Sequence, residues 1–101
     1  RVRGVLVGMN YLQLLPCTLV IEALLLSLRR NGIDPRRLPI VLRAFDANGR
    51  YVRLDEEPQA TQPGAYIFSF PAPLLGRKGL HRLYIFDAFG EIVSYGDLFI
   101  Q

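Results

Sequence analysis

Apolar and polar residues alternate along seven short stretches of the chain. Because successive side chains of a β-strand point to opposite faces, this alternation predicts strands with one buried face. The predicted strands are 2–9, 18–28, 40–46, 50–55, 65–70, 80–87 and 91–100. Turn-forming residues separate them. Seven short strands spaced in this way predict an all-β fold, an antiparallel Greek-key sandwich.

One phrase, Phe-Asp-Ala-x-Gly, occurs twice, at 45–49 and at 86–90, and an alternating run follows it each time. Asp46 and Asp87 are expected to start a turn by hydrogen bonds from nearby backbone N–H groups to the carboxylate. Gly49 and Gly90 are expected to adopt the positive φ that closes a hairpin loop of three to five residues. Two hairpins of one type support a sandwich, but they indicate no chemistry.

The segment 18–31 is compatible with two structures. As a buried helix it would begin at Thr18 and end at Gly32, with Leu and Ala in favourable positions. As a strand it would be apolar on both faces, with Glu22 as the exception. Periodicity alone does not separate the two. We favour a strand, because the hairpins that follow need a neighbouring strand.

With 101 residues the chain is long enough for a two-layer core, and we expect 1–101 to form a single domain. Cys17 is the only cysteine, so an internal disulfide is impossible and the redox compartment stays open. Half of the residues are hydrophobic. Because a small domain has much surface relative to its core, some apolar side chains must face outward, where a partner can cover them.

Charge and hydropathy argue against nucleic-acid and membrane partners. The net charge of +3 is modest, and proteins that bind nucleic acid usually concentrate charge on one face. The most hydrophobic stretch, 5–28, is long enough to span a membrane. However, Pro16 lies near its middle and Glu22 would place a carboxylate in lipid. We therefore expect no nucleic acid and no membrane span.

The order of strands and turns from 18 to 100 resembles the bacterial immunoglobulin-like domains, the sandwich modules of bacterial surface and adhesion proteins. Three runs carry the resemblance: 38–49, 61–68 and 79–90. The Leu-rich second strand and His81, where the family often has Tyr, depart from its pattern. The resemblance implies an immunoglobulin-like Greek-key β-sandwich of about seven strands. It also implies a module that spaces, binds or assembles, at the cell surface or outside the cell, without catalysis.

Outward apolar positions are the strongest functional signal. In a sandwich, six such residues lie on outer faces and form a predicted assembly face: Val20, Leu24, Leu26, Ile67, Tyr84 and Phe86. Full burial of one such side chain is worth about 1.5–3 kcal/mol, so four give roughly 6–12 kcal/mol, comparable with the cost of association. Backbone pairing between exposed edge strands would add to this. The alternative is ordinary surface hydrophobicity.

A second candidate site is an arginine-rich loop between the second and third predicted strands, with Arg29, Arg30, Arg36 and Arg37. In an immunoglobulin-like topology this loop shares one end of the sandwich with the turn that presents Phe89. Arginine binds carboxylates through two parallel hydrogen bonds, and an exposed aromatic ring can anchor a partner. The alternative is a solvated loop whose charges keep the protein soluble.

No pattern indicates an enzyme, a metal or a cofactor. His81 is the only histidine and shares an apolar face with Leu83 and Ile85, so we expect a partly buried, hydrogen-bonded side chain. Cys17 has no nucleophile motif around it. The acidic run 55–57 lacks the spacing of calcium ligands.

The sequence thus predicts a non-enzymatic structural module that assembles with copies of itself or with neighbouring subunits. A surface fibre, a shell or a virion accessory protein would fit. The alternatives are a ligand-binding module for carbohydrate or protein, and an accessory domain of a larger enzyme.

Overall fold

The computed structural model is an all-β protein built from two antiparallel sheets. It describes residues 2–7, 9–14, 18–24, 34–62, 65–71 and 78–100. Nine strands lie within these ranges: β1 (Val2–Val7), β2 (Met9–Leu14), β3 (Thr18–Leu24), β4 (Val41–Asp46), β5 (Tyr51–Glu56), β6 (Gln59–Gln62), β7 (Ala65–Pro71), β8 (Gly79–Phe86) and β9 (Ile92–Ile100). A short 3-10 turn, Pro35–Arg37, precedes β4.

The strands form a five-stranded sheet in the order β1-β9-β8-β4-β5 and a four-stranded sheet in the order β2-β3-β7-β6. Neighbouring strands run antiparallel in both sheets. The chain passes from one sheet to the other four times, between β1 and β2, between β3 and β4, between β5 and β6, and between β7 and β8. Each sheet therefore contains strands from both halves of the sequence.

One apolar core lies between the two sheets, and alternation explains how it forms. In β8, His81, Leu83 and Ile85 point inward, while Arg82 and the two following aromatic residues point outward. In β7, the three aromatic rings at 66, 68 and 70 are all buried. The largest fully buried side chains come from both sheets and from Ile40, which directly precedes β4: Phe68, Phe70, Leu19, Ile21, Ile40, Leu42, Leu83, Ile85 and Leu98.

The segment that the sequence left undecided is a strand over Thr18–Leu24, and the helical alternative is wrong for these residues. Each of the seven has a Cα partner in β7, from the pair Thr18–Pro71 to the pair Leu24–Ala65. Leu19, Ile21 and Ala23 face the core. The rest of the predicted element, 25–31, lies outside the described residues.

The expected seven strands become nine among the described residues. β2 was missed because its run Asn10-Tyr11-Leu12-Gln13 does not alternate. β6 was missed because it is short and polar and therefore shows no apolar alternation. It lies at the edge of its sheet and pairs with β7 through backbone hydrogen bonds, which leave no signal in the side-chain pattern.

Candidate interaction surface

The two Asp-Ala-x-Gly turns have the same hydrogen-bond pattern, which confirms the prediction made for them. Asp46 accepts from the N–H groups of residues 48 and 50 at 2.9 Å, and Asp87 accepts from those of residues 89 and 91 at 2.9 Å. Gly49 has a φ of 79° and Gly90 a φ of 82°. Each glycine N–H also donates to the aspartate carbonyl at 3.0 Å. These bonds describe a three-residue hairpin loop with glycine in the left-handed region.

The second of these turns is joined to the loop that precedes β4. Arg37 Nε donates to Asp87 Oδ2 at 3.0 Å, and the Ala88 N–H donates to the carbonyl of Arg37 at 2.8 Å. The Asp87 side chain is fully buried, whereas a quarter of the Arg37 side chain is exposed. We call this end of the molecule, residues 34–40 and 87–91, the pole. The predicted proximity of loop and turn is confirmed, while a binding role for the pole stays a prediction.

Both described arginines of the loop are bonded to carboxylates. Arg36 lies against Asp34 with an N–O distance of 2.9 Å, in addition to the Arg37–Asp87 contact. The Arg36 hydrogen bonds hold the pKa of Asp34 below its ordinary value. An acidic ligand would have to compete with these carboxylates. Phe89 lies at the tip of the turn and is 63% exposed. Arg29 and Arg30 lie outside the described residues.

Burial alone would raise the pKa of Asp87, but its hydrogen bonds outweigh that effect. The N–H of Glu91, the Arg37 side chain and the N–H of Phe89 all stabilise the charged carboxylate, so the pKa of Asp87 lies below its ordinary value. The charge of Asp87 therefore holds the pole together at neutral pH.

The outer face of the five-stranded sheet is rich in aromatic rings. Eight outward residues lie on four of its five strands, β9, β8, β4 and β5, and form two neighbouring rows. We call these eight residues together the aromatic face. The first row, fixed by the strand register, is Asp97, Arg82, Phe45 and Tyr51. The second row is Tyr95, Tyr84, Arg43 and Asp55.

The rings of the aromatic face form a connected cluster. The ring centroid of Phe45 lies 5.8 Å from that of Tyr51 and 5.6 Å from that of Tyr84. Phe86 extends the cluster beyond the two rows, at 5.9 Å from Tyr84, and the Arg43 guanidinium lies 5.4 Å from the Phe86 ring centre. These are contact distances for aromatic pairs and for a cation over a ring. The cluster is therefore an ordered surface rather than a set of isolated side chains.

Two ion pairs flank the rings. Arg43 Nε donates to Asp55 Oδ1 at 2.7 Å, and Arg82 lies 3.7 Å from Asp97. The Tyr51 hydroxyl also donates to Asp55. The hydrogen bonds from Tyr51 and Arg43 hold the pKa of Asp55 below its ordinary value. The aromatic face thus carries two arginines and two aspartates and has no net charge.

The predicted assembly face does not form one surface. Val20 and Ile67 are half-buried on the outer side of the four-stranded sheet, between the exposed Glu22 and Ser69. Tyr84 and Phe86 lie on the outer side of the five-stranded sheet, across the core from them. These four residues lie on outer faces, as predicted, but on two opposite faces rather than one, and their role in assembly stays a prediction. The Leu24 side chain and the whole of Leu26 lie outside the described residues.

Most of the aromatic face was missed at the sequence level. Phe45, Tyr51 and Tyr95 were not singled out, nor was Phe99, which points outward next to the buried Leu98. Alternation alone identifies the outward positions of each strand. Alignment of these positions into rows depends on the register between strands that are distant in sequence, and this register is not visible in the composition.

The remaining chemical candidates are His81, the acidic residues and Cys17. His81 is 1% exposed, and its Nδ1 lies 3.2 Å from the carbonyl oxygen of Gly79, as expected for a buried, hydrogen-bonded histidine. Across the described ranges, no three acidic, histidine or cysteine side chains gather in a way that would hold a metal ion. In the part of the chain that the structure covers, no helix is long and apolar enough to cross a membrane. Cys17 lies outside that part.

No protein-family model, no curated protein and no solved structure matches this chain.

Proposed function

We propose that this chain is a non-enzymatic structural module that assembles with neighbouring subunits through the aromatic face. The observation that carries the proposal is the connected aromatic cluster on an outer sheet face, held between two ion pairs. Tyrosine, phenylalanine and arginine are the residue types enriched in protein–protein contacts. The setting we propose is a surface fibre, a shell or a virion, at the cell surface or outside the cell.

We further propose that the fold is an immunoglobulin-like Greek-key sandwich, on the basis of strand order. If β2 to β9 are lettered A, B, C, C′, D, E, F and G, the four-stranded sheet has the order A-B-E-D. The strands β9-β8-β4-β5 then have the order G-F-C-C′. Immunoglobulin domains combine an ABED sheet with a GFC sheet, to which variable domains add C′. β1 is an additional strand on the outer side of G.

The exposed area of the aromatic face is sufficient to contribute to binding. Within the aromatic face, Tyr51 is 43% and Tyr95 is 53% exposed, and beside it on the same side of the sheet Phe99 is 45% and Ile92 is 52% exposed. Full burial of such a side chain is worth about 1.5–3 kcal/mol, so covering the exposed half of each of the four gives about 3–6 kcal/mol from one side of a contact. Association costs about 4–15 kcal/mol. The outer face of the other sheet offers less, because Glu22 and Ser69 interrupt its apolar residues.

Light scattering over a concentration series tests the proposal. We expect the mass of the wild-type chain to rise with concentration, and Tyr95→Ser to weaken this association because it removes an exposed ring. Val20→Ser is the matched control, since it truncates an outward side chain on the other sheet. A chain that stays monomeric at every concentration, or a Tyr95→Ser variant that associates like the wild type, contradicts the proposal. Circular dichroism checks that both variants fold.

A second candidate function is ligand binding at the pole. The observation that favours it is the exposed ring of Phe89, which lies on a turn that hydrogen bonds to the Asp87 carboxylate stabilise. The ligand would be an acidic peptide or a carbohydrate. Isothermal titration with a panel of both, using the wild type and Phe89→Ala, tests this candidate. A ligand that binds both chains equally well, or no binding at all, contradicts it.

A further inference from the structure

We infer that the subunit that covers the aromatic face is a second copy of this chain, related by a twofold axis lying in the plane of the contact. This inference rests on the proposed function and adds the identity of the partner and the symmetry. It follows from the order of residues in the two rows of the aromatic face.

The two rows have the same chemical order when they are read in opposite directions. From β9 to β5, the first row is acid, arginine, aromatic, aromatic: Asp97, Arg82, Phe45, Tyr51. From β5 to β9, the second row has the same order: Asp55, Arg43, Tyr84, Tyr95. An antiparallel pair such as β4 and β8 relates its backbone positions by a local twofold. The backbone does not dictate that the side chains at these positions also match.

This order makes the face complementary to itself. Consider a copy rotated by 180° about an axis that lies in the contact plane, parallel to the strands and midway between β8 and β4. Each residue then faces the residue of the copy that lies at the mirror position in the same row. Arg82 then meets Phe45 of the copy, and Arg43 meets Tyr84 of the copy. Each of these contacts occurs twice, as an isologous interface requires. Arginine over an aromatic ring is a favourable contact.

The acidic residues are matched as well. About the same axis, Asp97 meets Tyr51 of the copy and Asp55 meets Tyr95 of the copy. The Tyr95 hydroxyl can donate to the carboxylate that it meets, whereas the single proton of the Tyr51 hydroxyl is already donated to Asp55 of its own chain. About the other in-plane axis, perpendicular to the strands, arginine again meets an aromatic ring and aspartate again meets a tyrosine. In neither arrangement do two like charges face each other.

Charge and size are consistent with a reversible dimer. Each chain carries a net charge of +3, but the eight residues of the aromatic face include two arginines and two aspartates, so these residues bring no excess charge together. The four strands that carry the aromatic face, about 4.8 Å apart and about seven residues long, cover roughly 19 × 23 Å, or about 440 Å² on each copy. The total of about 880 Å² lies in the range of weak, transient contacts and below that of specific, stable interfaces.

The test compares two substitutions at Tyr95, which is 53% exposed and can be changed without opening the core. In either twofold arrangement, Tyr95 faces an aspartate of the copy. We expect Tyr95→Lys to keep the dimer within about threefold of the wild-type Kd or to tighten it, and Tyr95→Asp to weaken it at least about tenfold. If net charge alone set the dimer Kd, Tyr95→Lys would weaken the dimer more than Tyr95→Asp, because Lys raises the positive net charge of each chain and Asp lowers it.

Sedimentation velocity measures both Kd values and the limiting mass. The inference expects a plateau at twice the chain mass of 11.4 kDa, because a twofold contact closes at the dimer. Ser69→Lys and Ser69→Asp, at an exposed position on the outer face of the other sheet, are matched controls that change the net charge without opening the core. Far-UV circular dichroism verifies that all four variants fold.

The outcomes separate this inference from the proposed function. If Tyr95→Ser weakens association but the mass grows beyond the dimer, or the Lys variant dissociates as readily as the Asp variant, the twofold arrangement is overturned and the proposed function stands. If Tyr95→Ser leaves association unchanged, or the chain remains monomeric at every concentration, both are overturned.

Discussion

Replacing Asp87 by Asn removes one negative charge from the pole with little change in the size of the side chain. Asn supports the same kind of turn as Asp, so the hydrogen bonds to the backbone N–H groups can persist. What changes is the contact with Arg37, whose Nε now meets a neutral amide. Because the Asp87 side chain is fully buried, water cannot replace the lost partner.

Asp46→Asn is the matched control, because the first turn has the same hydrogen bonds and a partly exposed aspartate. A hydrogen bond to a charged group contributes about 1.5–3 kcal/mol, so we expect Asp87→Asn to lower the free energy of unfolding by about 2 kcal/mol. Asp46→Asn also removes a carboxylate charge, but the side chain is partly exposed to water, so we expect a smaller cost of at most about 1 kcal/mol. In a domain of this size, 2 kcal/mol lowers Tm by roughly 8–16 °C.

Urea unfolding at neutral pH, followed by circular dichroism, gives both values, and thermal melts give the two Tm shifts. A third variant, Arg37→Ala, leaves a buried carboxylate without its cation and is expected to cost about 3 kcal/mol. The double variant Arg37→Ala with Asp87→Asn should cost less than the sum of the two single changes, because both remove the same contact. Equal costs for Asp87→Asn and Asp46→Asn would refute the stabilising role of the Arg37 contact.

Three further predictions concern acid, the turns and the pole. The pKa of Asp87 lies below its ordinary value of 3.8 in the folded chain, so its stabilisation is complete above the unfolded pKa and is lost as the pH falls through the folded one. Urea unfolding below about pH 4 should therefore lose stability more steeply in the wild type than in Asp87→Asn. Gly49→Ala and Gly90→Ala should each cost about 1–2 kcal/mol in the same assay, because both positions have a left-handed φ, and clearly unequal costs would contradict the equivalence of the two turns. Phe89→Ala should leave Tm within about 2 °C, since the ring is mostly exposed, and a larger drop in a thermal melt would show that it packs against the pole.

The sequence was most informative where structure depends on neighbouring residues. The two turns were predicted with their roles for Asp46, Gly49, Asp87 and Gly90, because a carboxylate that caps its own turn and a glycine with positive φ act within five residues. Alternation likewise predicted which side of β7 and β8 is buried. A short polar strand such as β6 depends on its neighbour β7 for pairing, so its own residues gave no signal.

The candidate site was predicted only in fragments, for a physical reason. Tyr84 was recognised as outward-facing, but its partners on the aromatic face lie on β4, β5 and β9. They align only through the register of three strand pairs. The predicted assembly face combined Tyr84 with Val20. Alternation within a strand shows which side chains point outward, but it does not show which sheet the strand joins. The sheet order settled that question.

The pairing of β1 with β9 has a consequence for the time course of folding. Val2 is the Cα partner of Ile100, so the five-stranded sheet is complete only when nearly all of the described chain is available. Such contacts between residues far apart in sequence slow folding, because a long loop must close before the pairing can stabilise anything. On a ribosome, the hairpin of β4 and β5 can form early, whereas β1 has to wait for the last strand to emerge. During that interval β1 has an unpaired edge that other nascent chains can meet.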